Sequence, residues 1–373
     1  MSLEDDLRRT LGYAAGQAPQ APADLKDHVV RRSKRRKARG TALLAAAAVV
    51  IVAGGAAFAV RTAGQQDRAA VPAPTEIGIE KVWPHAVWKI PAKLPGIKRY
   101  QPRRFIDDHS VLLETADAIY ACDLETGQVR KIAAIPTPDA NEFTIGAGRV
   151  VWQTFGGRSR FWSVPLEGGE PAEIRTDKPI DGMADELEVV GEKLAFSLFD
   201  GGVFTVPLTG GEVDPIKGAE RDHLMAWPWV GTSREYAPNV ETTFAEIHNV
   251  ETGERSKAVI HPGDRYVRCS RKTCTGLAAG KKPFIRQRDG SRQRELPQAP
   301  TMGIAADRFM TVWRDGRNGQ ELLDLSTGRR GDLGIRRDTP KGPPVSVHPG
   351  LGDGRMMAYP LKDTYVIIDL SKI

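Results

Sequence analysis

The stretch IYACDLETGQVRKI, residues 119–132, decides the fold because its pattern returns along the chain. It consists of an alternating apolar run, a D-L-x-T-G turn and a second short run. The apolar residue that opens the turn recurs at intervals of 42 residues, as Leu124, Leu166, Leu208 and Val250. Looser versions follow in RDGS around Arg288, in LSTG at Leu325 and in LSK at Leu370, which makes seven turns. Such regular return of one short motif indicates a repeat architecture.

A second motif precedes most of these turns: a turn residue, a charge and an apolar run, as in GRVVW, GEKLAF, DRFMTVW and DGRMMAY. Each unit therefore contains several short strands between Gly and Asp turns, with no amphipathic helix. About four strands in a repeat of about 42 residues are typical of a β-propeller blade. Residues 77–373 number 297, close to seven such repeats. We predict an all-β fold, a seven-bladed propeller; six blades, with an irregular unit at Arg288, are the alternative.

The two ends of this domain complement each other. The last unit stops soon after its third strand, TYVIIDL (364–370), whereas an isolated strand-like stretch, EKVWPHAVWKI (80–90), precedes the first full unit. We predict that the early stretch supplies the missing outer strand of the last blade, because a closed ring leaves no edge strand open.

Residues 41–60, TALLAAAAVVIVAGGAAFAV, carry no charge and are long enough for a helix to cross a bilayer. Seven Lys or Arg residues within 31–39 precede them, and this asymmetry predicts a cytoplasmic N-terminus, with the cations at anionic headgroups. A cleavable signal peptide is the alternative, since residues 57–59 have the A-x-A form of a cleavage site. The long segment before the apolar stretch argues against it.

The chain thus divides into a cytoplasmic basic tail (1–40), a transmembrane helix (41–60), a flexible Ala/Pro/Gln-rich tether (61–76) and an extracytoplasmic propeller (77–373). The tail holds ten Lys or Arg and five Asp or Glu, which accounts for +5 of the total charge of +6. Because the remainder is nearly neutral, a nucleic-acid partner is not predicted. We expect a single-pass protein of the cell membrane.

The D-L-x-T-G turns resemble those of TolB-like and quinoprotein-like (WD40-like) propellers, although the Trp-Asp dipeptide of typical WD40 repeats is missing. The whole layout is similar to actinobacterial single-pass membrane proteins with an extracytoplasmic propeller, which are thought to accompany extracytoplasmic-function sigma factors. The resemblance implies fold and topology. Residues 121–127 match the start of the quinoprotein docking motif, but Lys131 stands where its closing Trp would fall, so no quinone or other cofactor is carried over.

Cys269 and Cys274, in CSRKTC, lie between strand-like residues, and we predict that they form a disulfide outside the cytoplasm. A metal pair is the alternative, and it lacks further ligands at the usual spacing. The seven His residues are scattered, and no G-x-S-x-G nucleophile motif occurs. We therefore assign no catalytic residue, no metal and no cofactor.

Two further sets of residues are candidates for binding. Trp227 and Trp229 flank Pro228 and could form an aromatic patch at a blade end, with core packing as the more common role of such residues. In the tail, an apolar stripe at helical spacing is a candidate contact for a cytoplasmic protein, and disorder is the alternative. This stripe consists of Leu3, Leu7 and Leu11.

These features predict a membrane-anchored extracytoplasmic propeller that acts as a binding or regulatory module. Its expected partners are the bilayer, through residues 31–39 and 41–60, an unknown extracytoplasmic ligand or protein, and a cytoplasmic protein connected with sigma-factor signalling. An enzyme is not predicted. The alternatives are a propeller hydrolase or lyase with an unrecognised channel site, and a passive envelope scaffold.

Overall fold

The computed structural model describes residues 77–97, 99–137, 139–232, 242–300, 304–314, 319–336 and 354–373. They form seven antiparallel sheets and almost no helix, which is the architecture of a seven-bladed β-propeller. The predicted fold class and blade number are confirmed. The weak repeat around Arg288 forms a blade of its own, so the six-bladed alternative is wrong.

The strands follow the chain from blade to blade. A short helix, α1 (Ile79–Val82), and strand β1 (Val87–Pro91) come first. Blade 1 holds β2 (Gln101–Phe105), β3 (Ser110–Glu114), β4 (Ala118–Asp123) and β5 (Val129–Ala134). Blade 2 holds β6 (Ala140–Gly146), β7 (Arg149–Phe155), β8 (Arg158–Pro165), β9 (Ala172–Ile174) and β10 (Ile180–Asp181). Blade 3 holds β11 (Ala184–Val190), β12 (Lys193–Leu198), β13 (Val203–Pro207) and β14 (Asp214–Pro215).

The second half repeats the arrangement. Blade 4 holds β15 (Asp222–Ala226), β16 (Trp229–Thr232), β17 (Glu246–Asn249) and β18 (Arg255–Lys257). Blade 5 holds β19 (Arg265–Cys269), β20 (Thr273–Leu277), β21 (Pro283–Gln287) and β22 (Arg294–Glu295). Blade 6 holds β23 (Phe309–Trp313), β24 (Gln320–Asp324) and β25 (Arg330–Asp332). Blade 7 holds β26 (Met356–Leu361) and β27 (Thr364–Asp369), followed by a 3-10 turn (Leu370–Lys372).

The ring closes as the sequence predicts. Strand β1 pairs antiparallel with β27, from Val87 opposite Ile368 to Pro91 opposite Thr364, and becomes the outermost strand of blade 7. Helix α1 packs on β25 of blade 6. The first residues of the domain therefore join its last two blades, and this explains the isolated strand-like stretch before the repeats.

Hydrogen bonds within the turn explain why D-L-x-T-G recurs. The Oδ1 atom of Asp123 accepts hydrogen bonds from the N–H groups of Glu125 and Thr126, at 3.0 and 2.7 Å. Gly127 then takes a φ of 68°, a left-handed conformation that a glycine adopts without a Cβ penalty. The same side-chain contact recurs at Asn249, Asp324 and Asp369.

The charge of the second motif also has a defined partner. Arg308 donates two hydrogen bonds to the carboxylate of Asp324, at 2.8 and 2.7 Å, across the β23–β24 pair. Arg355 contacts Asp369 in the same way across β26 and β27. Each bidentate contact joins the two repeated motifs within one blade, and the spacing of the motifs in the sequence follows from this pairing.

The core lies between the blades. The second strand of a blade is covered on both faces by its neighbours, so β3, β7 and β12 are buried almost throughout. This burial explains the continuous apolar runs of the second motif, because a strand packed on both faces does not alternate.

The predicted tail, span and tether (1–76) lie outside the described residues. Within the described part of the chain, no helix has the length and apolar character needed to cross a bilayer.

Candidate functional site

The first strands of the blades line the axis of the propeller. Strand β2 contacts β6, β6 contacts β11, and β11 contacts β15, whereas each remaining strand lies further out in its sheet. Because blades 1 to 5 repeat the same strand order, their inner strands run in one direction. The residues at which they begin therefore surround one end of the axial channel.

Each of the five inner strands described in full carries one extra residue. The pairing with the second strand shifts within the first residues of β2, β6, β11 and β19, whereas in β15 it shifts near the end of the strand, at Met225. A β-bulge bends its strand and redirects a side chain, and bulges are common beside active sites. The four bulges near the strand starts place a set of side chains at one end of the channel, which we call the channel mouth: Arg103, Glu142, Asp185 and Tyr266.

Two of these bulged residues have a left-handed backbone although neither is glycine. Glu142 has a φ of 47° and Tyr266 a φ of 53°. Such a conformation costs about 1–3 kcal/mol and persists only where the surrounding structure imposes it, often at binding sites. Tyr266 is 58% exposed, so its ring is held out towards solvent rather than packed in the core.

Electrostatic interactions connect the mouth residues of blades 1 to 3. Loss of hydration raises the pKa of the Glu142 carboxyl, and the charge of Asp185 acts in the same direction, while Arg104 and Arg103 oppose them. The Glu142 side chain is nevertheless exposed to solvent. Burial also raises the pKa of Glu188, against a hydrogen bond from the Trp227 N–H and the charge of Arg104. Carboxyl groups with perturbed pKa values in a cleft are candidates for function.

A polar chain joins blades 3 and 4 at the mouth. The Ser197 hydroxyl donates to Asp185 Oδ1 at 2.5 Å, and Asp185 Oδ2 lies 2.8 Å from His223 Nδ1. The carboxylate thus separates the hydroxyl from the imidazole. A serine nucleophile needs the imidazole beside its own hydroxyl, so this order does not form a catalytic triad. The chain instead fixes the bulged Asp185 against the neighbouring blade.

A cavity of 450 Å³ adjoins the mouth between blades 7 and 1. Arg103 belongs to both, and its guanidinium contacts the Glu114 carboxylate on the cavity wall. The rings of Tyr100 and Tyr365 lie 5.0 Å apart in the lining. The cavity has the size of a small-ligand site, with a few polar groups on an aromatic floor.

The structure places the predicted cysteines together. Cys269 ends β19, Cys274 lies opposite it in β20, and the two form a disulfide across this hairpin. Thr273, next to Cys274 in β20, donates a hydrogen bond from its Oγ1 to Asp307 at 2.6 Å. The third cysteine, Cys122, is buried with a free thiol.

The two predicted tryptophans do not form one surface. Trp229 is 9% exposed and packs in the core between blades 4 and 5. Trp227 packs against a different cluster beside blade 3, and its indole N–H donates to Glu251 Oε1 at 2.8 Å. The two indoles lie on either side of Pro228, and each packs into a different cluster. Core packing, the alternative role named for them, describes Trp229. The structure therefore does not bring Trp227 and Trp229 together.

The remaining predictions concern the cytoplasmic stripe and metal binding. The stripe of Leu3, Leu7 and Leu11 lies outside the described residues. In the described part of the chain, no three His, Cys, Asp or Glu residues are grouped so that they could hold a metal ion.

Comparisons with known proteins find similarities among solved structures only. No family model matches the sequence, and no curated protein matches it. The structure is similar to an oligogalacturonate lyase from Vibrio parahaemolyticus (12% identity, TM-score 0.40, covering 61% of this chain and 74% of that one). It is also similar to a putative TolB from Agrobacterium tumefaciens (12%, TM-score 0.34, covering 66% and 87%). A third similar structure is the β-propeller domain of Cps50 from Myceliophteria thermophila (13%, TM-score 0.40, covering 73% and 96%).

Sequence reasoning did not find the channel mouth. Its residues lie in the least regular strand of each unit, before the motifs that carry the repeat. One signal was present: a charged residue, Arg103, Glu142 or Asp185, stands in the first strand-like stretch of each of the first three units. The bulges that bring them together depend on pairing with the second strand.

Proposed function

We propose that the propeller is a non-catalytic binding module and that the channel mouth is its binding site. The observation that carries the proposal is the repeated bulge, which presents a different side chain at the mouth from four of the five described inner strands. Backbone strain at Glu142 and Tyr266 further supports a functional role.

The charges at the mouth suit an extended polypeptide segment. Arg103 on β2 offers a guanidinium group to carboxylates, and Glu142 on β6 offers a carboxylate to cationic groups. Tyr266 on β19 offers an exposed ring with little conformational entropy to lose. A peptide carries both charges and apolar side chains within the reach of the mouth. A single small ion would use only one part of this set.

Peptides selected against the full-length chain from a random library test this proposal. We expect Glu142→Gln and Tyr266→Ala to weaken the selected peptides by about tenfold each, as one lost charged or aromatic contact does. Glu192→Gln is the matched control, because Glu192 is exposed in the β11–β12 turn away from the mouth. Equal affinities for the wild type and both mouth variants would refute the assignment of the site.

We further propose that residues 41–60 anchor the propeller on the outer side of the cell membrane. The uncharged stretch and the cations of 31–39 support this topology. Protease added to intact cells should digest the propeller, and digestion only after lysis would overturn the proposal.

The tail completes the proposed module as a contact for a cytoplasmic protein, with a sigma factor as the candidate. The apolar stripe of Leu3, Leu7 and Leu11 supports it. Replacing all three by Ala should release a sigma factor that copurifies with the wild type. Retention by the triple variant would remove this part of the proposal.

A further inference from the structure

Blade 2 departs from the repeat in a way that creates a second pocket. Its third strand, β8, has eight residues, and its outer edge pairs with two separate strands. Strand β9 pairs near Phe161–Ser163, whereas β10 pairs at Arg158 and Ser159. Between β9 and β10 the chain leaves the sheet edge. A pocket of 440 Å³ lies in this gap, away from the channel mouth.

Three arginines line this pocket, which we call the blade 2 pocket. Arg158 and Arg160 are two positions apart on β8, so their side chains leave the same face of the strand. Arg175 follows β9 and closes the pocket from the other side. Arg158 pairs with Asp181 at 2.9 Å, but both are well exposed, and such pairs are weak. Among the described residues, Arg160 and Arg175 have no carboxylate partner.

The wall that carries Arg175 is held by the next blade. The Gly211 N–H donates to the Arg175 carbonyl at 2.8 Å, and the Asp177 N–H donates to the Gly211 carbonyl at 2.9 Å. Gly210 has a φ of 87°, and a Cβ there would lie 2.6 Å from the Arg175 carbonyl oxygen. Only glycine allows this approach, so the turn of blade 3 fixes the wall in place. The pocket is preformed, which lowers the entropic cost of binding.

One acidic residue in the lining limits the kinds of ligand that the pocket can bind. Glu173 precedes Arg175 by two residues on the same edge, and its carboxylate can only accept hydrogen bonds when ionised. A bare anion would be repelled by it. A ligand that joins an oxyanion to hydroxyl groups satisfies both sides, with the oxyanion on the guanidiniums and a hydroxyl donating to Glu173.

We propose that the blade 2 pocket binds a phosphorylated sugar. Arginine matches the geometry of a phosphate with paired N–H donors, and Arg160 and Arg175 supply them from opposite walls. The sugar hydroxyls contact Glu173, and the pocket volume suits a ligand of this size. The same combination of phosphate and hydroxyl groups occurs in a free phosphosugar and in the phosphoinositol headgroup of a lipid such as phosphatidylinositol.

Calorimetric titration of the full-length chain tests the proposal with glucose 6-phosphate and with inorganic phosphate. Glucose 6-phosphate should bind the more tightly. The double variant R160Q/R175Q should weaken it by about a hundredfold, or about tenfold for each charge-assisted contact. The matched control is R221Q/R271Q, which removes the same charge from two exposed arginines elsewhere. Equal weakening by the control pair would show that the loss of affinity comes from the change in net charge alone, and it would overturn the proposal.

Glu173→Gln separates the sugar from the phosphate. It should weaken glucose 6-phosphate while leaving inorganic phosphate unchanged or slightly tighter, because a repelling charge is removed. Parallel weakening of both probes would overturn the sugar contact. Flotation distinguishes the sources when phosphatidylinositol vesicles are compared with phosphatidylcholine vesicles, which also take up the proposed membrane anchor. Binding in excess of phosphatidylcholine that is lost in R160Q/R175Q identifies a headgroup, and binding of free glucose 6-phosphate alone identifies a soluble ligand. Failure of both probes to bind the wild type would refute the site, and the channel mouth would be unaffected.

Discussion

Arg288 offers the sharpest test of how the propeller holds its irregular blade together. It stands in RDGS at the place that Leu124 takes in the first turn, and it is only 5% exposed. Its guanidinium donates five hydrogen bonds of 2.9–3.1 Å, to Ser256 Oγ and to four backbone carbonyls, those of Phe244, Ala245, Ser256 and Ser270. The first three residues belong to the region of blade 4, and Ser270 belongs to blade 5. A buried cation here replaces the apolar turn residue and joins two blades.

The magnitude follows from these contacts. Burial disfavours the charged form and lowers the pKa of Arg288 to about 10, so the side chain stays charged at neutral pH although its desolvation opposes folding. Five hydrogen bonds at about 1 kcal/mol each give about 5 kcal/mol. Methionine would recover part of the packing and remove the desolvation cost. We therefore expect Arg288→Met to lower the free energy of unfolding by about 3 kcal/mol, mainly through the carbonyls left without donors.

Urea denaturation followed by tryptophan fluorescence measures this change. Arg288→Lys keeps the charge but offers at most three donors, so we expect a loss of about 2 kcal/mol, between wild type and Arg288→Met. Arg221→Met is the control at an exposed arginine and should change stability by less than about 0.5 kcal/mol. A loss below about 1 kcal/mol for Arg288→Met would refute the idea that Arg288 stabilises this turn in place of an apolar residue.

Three further predictions follow from single contacts. Burial acts to raise the pKa of Asp332, but hydrogen bonds from Arg336, Gly334 and Arg314 dominate and lower it to about 2. Its stabilising contribution is thus present above about pH 4 and is lost as the pH falls towards 2, so Asp332→Asn should lose less stability than wild type across that range in urea titrations. Replacing Cys269 and Cys274 by Ser opens a short loop and should cost about 2 kcal/mol; an unchanged urea midpoint would argue against the bridge. Trp229→Ala should cost about 3 kcal/mol by loss of core packing, and an effect typical of a surface residue would revive the binding patch.

The architecture could be predicted because its signals are local. The D-L-x-T-G turn is stabilised by its own side chain, as Asp123 shows, and the Gly127 conformation requires the residue that stands there. A period built from such turns survives in the sequence wherever the chain must reverse. The closing role of β1 was also predictable, since a strand without a partner in its own unit must complete another sheet.

The binding features depend on contacts between units that are far apart in the sequence. Glu142 adopts its left-handed backbone only because β6 pairs with β7 over a bulge, and no local preference of glutamate announces it. Arg160 and Arg175 meet because β8 shares its edge between two strands and Gly210 of the next blade holds the wall. The sequence alone therefore determines the repeat, because each turn is stabilised by its own residues. Only the tertiary structure decides which strands become neighbours when the ring closes, and the channel mouth and the blade 2 pocket depend on those neighbours.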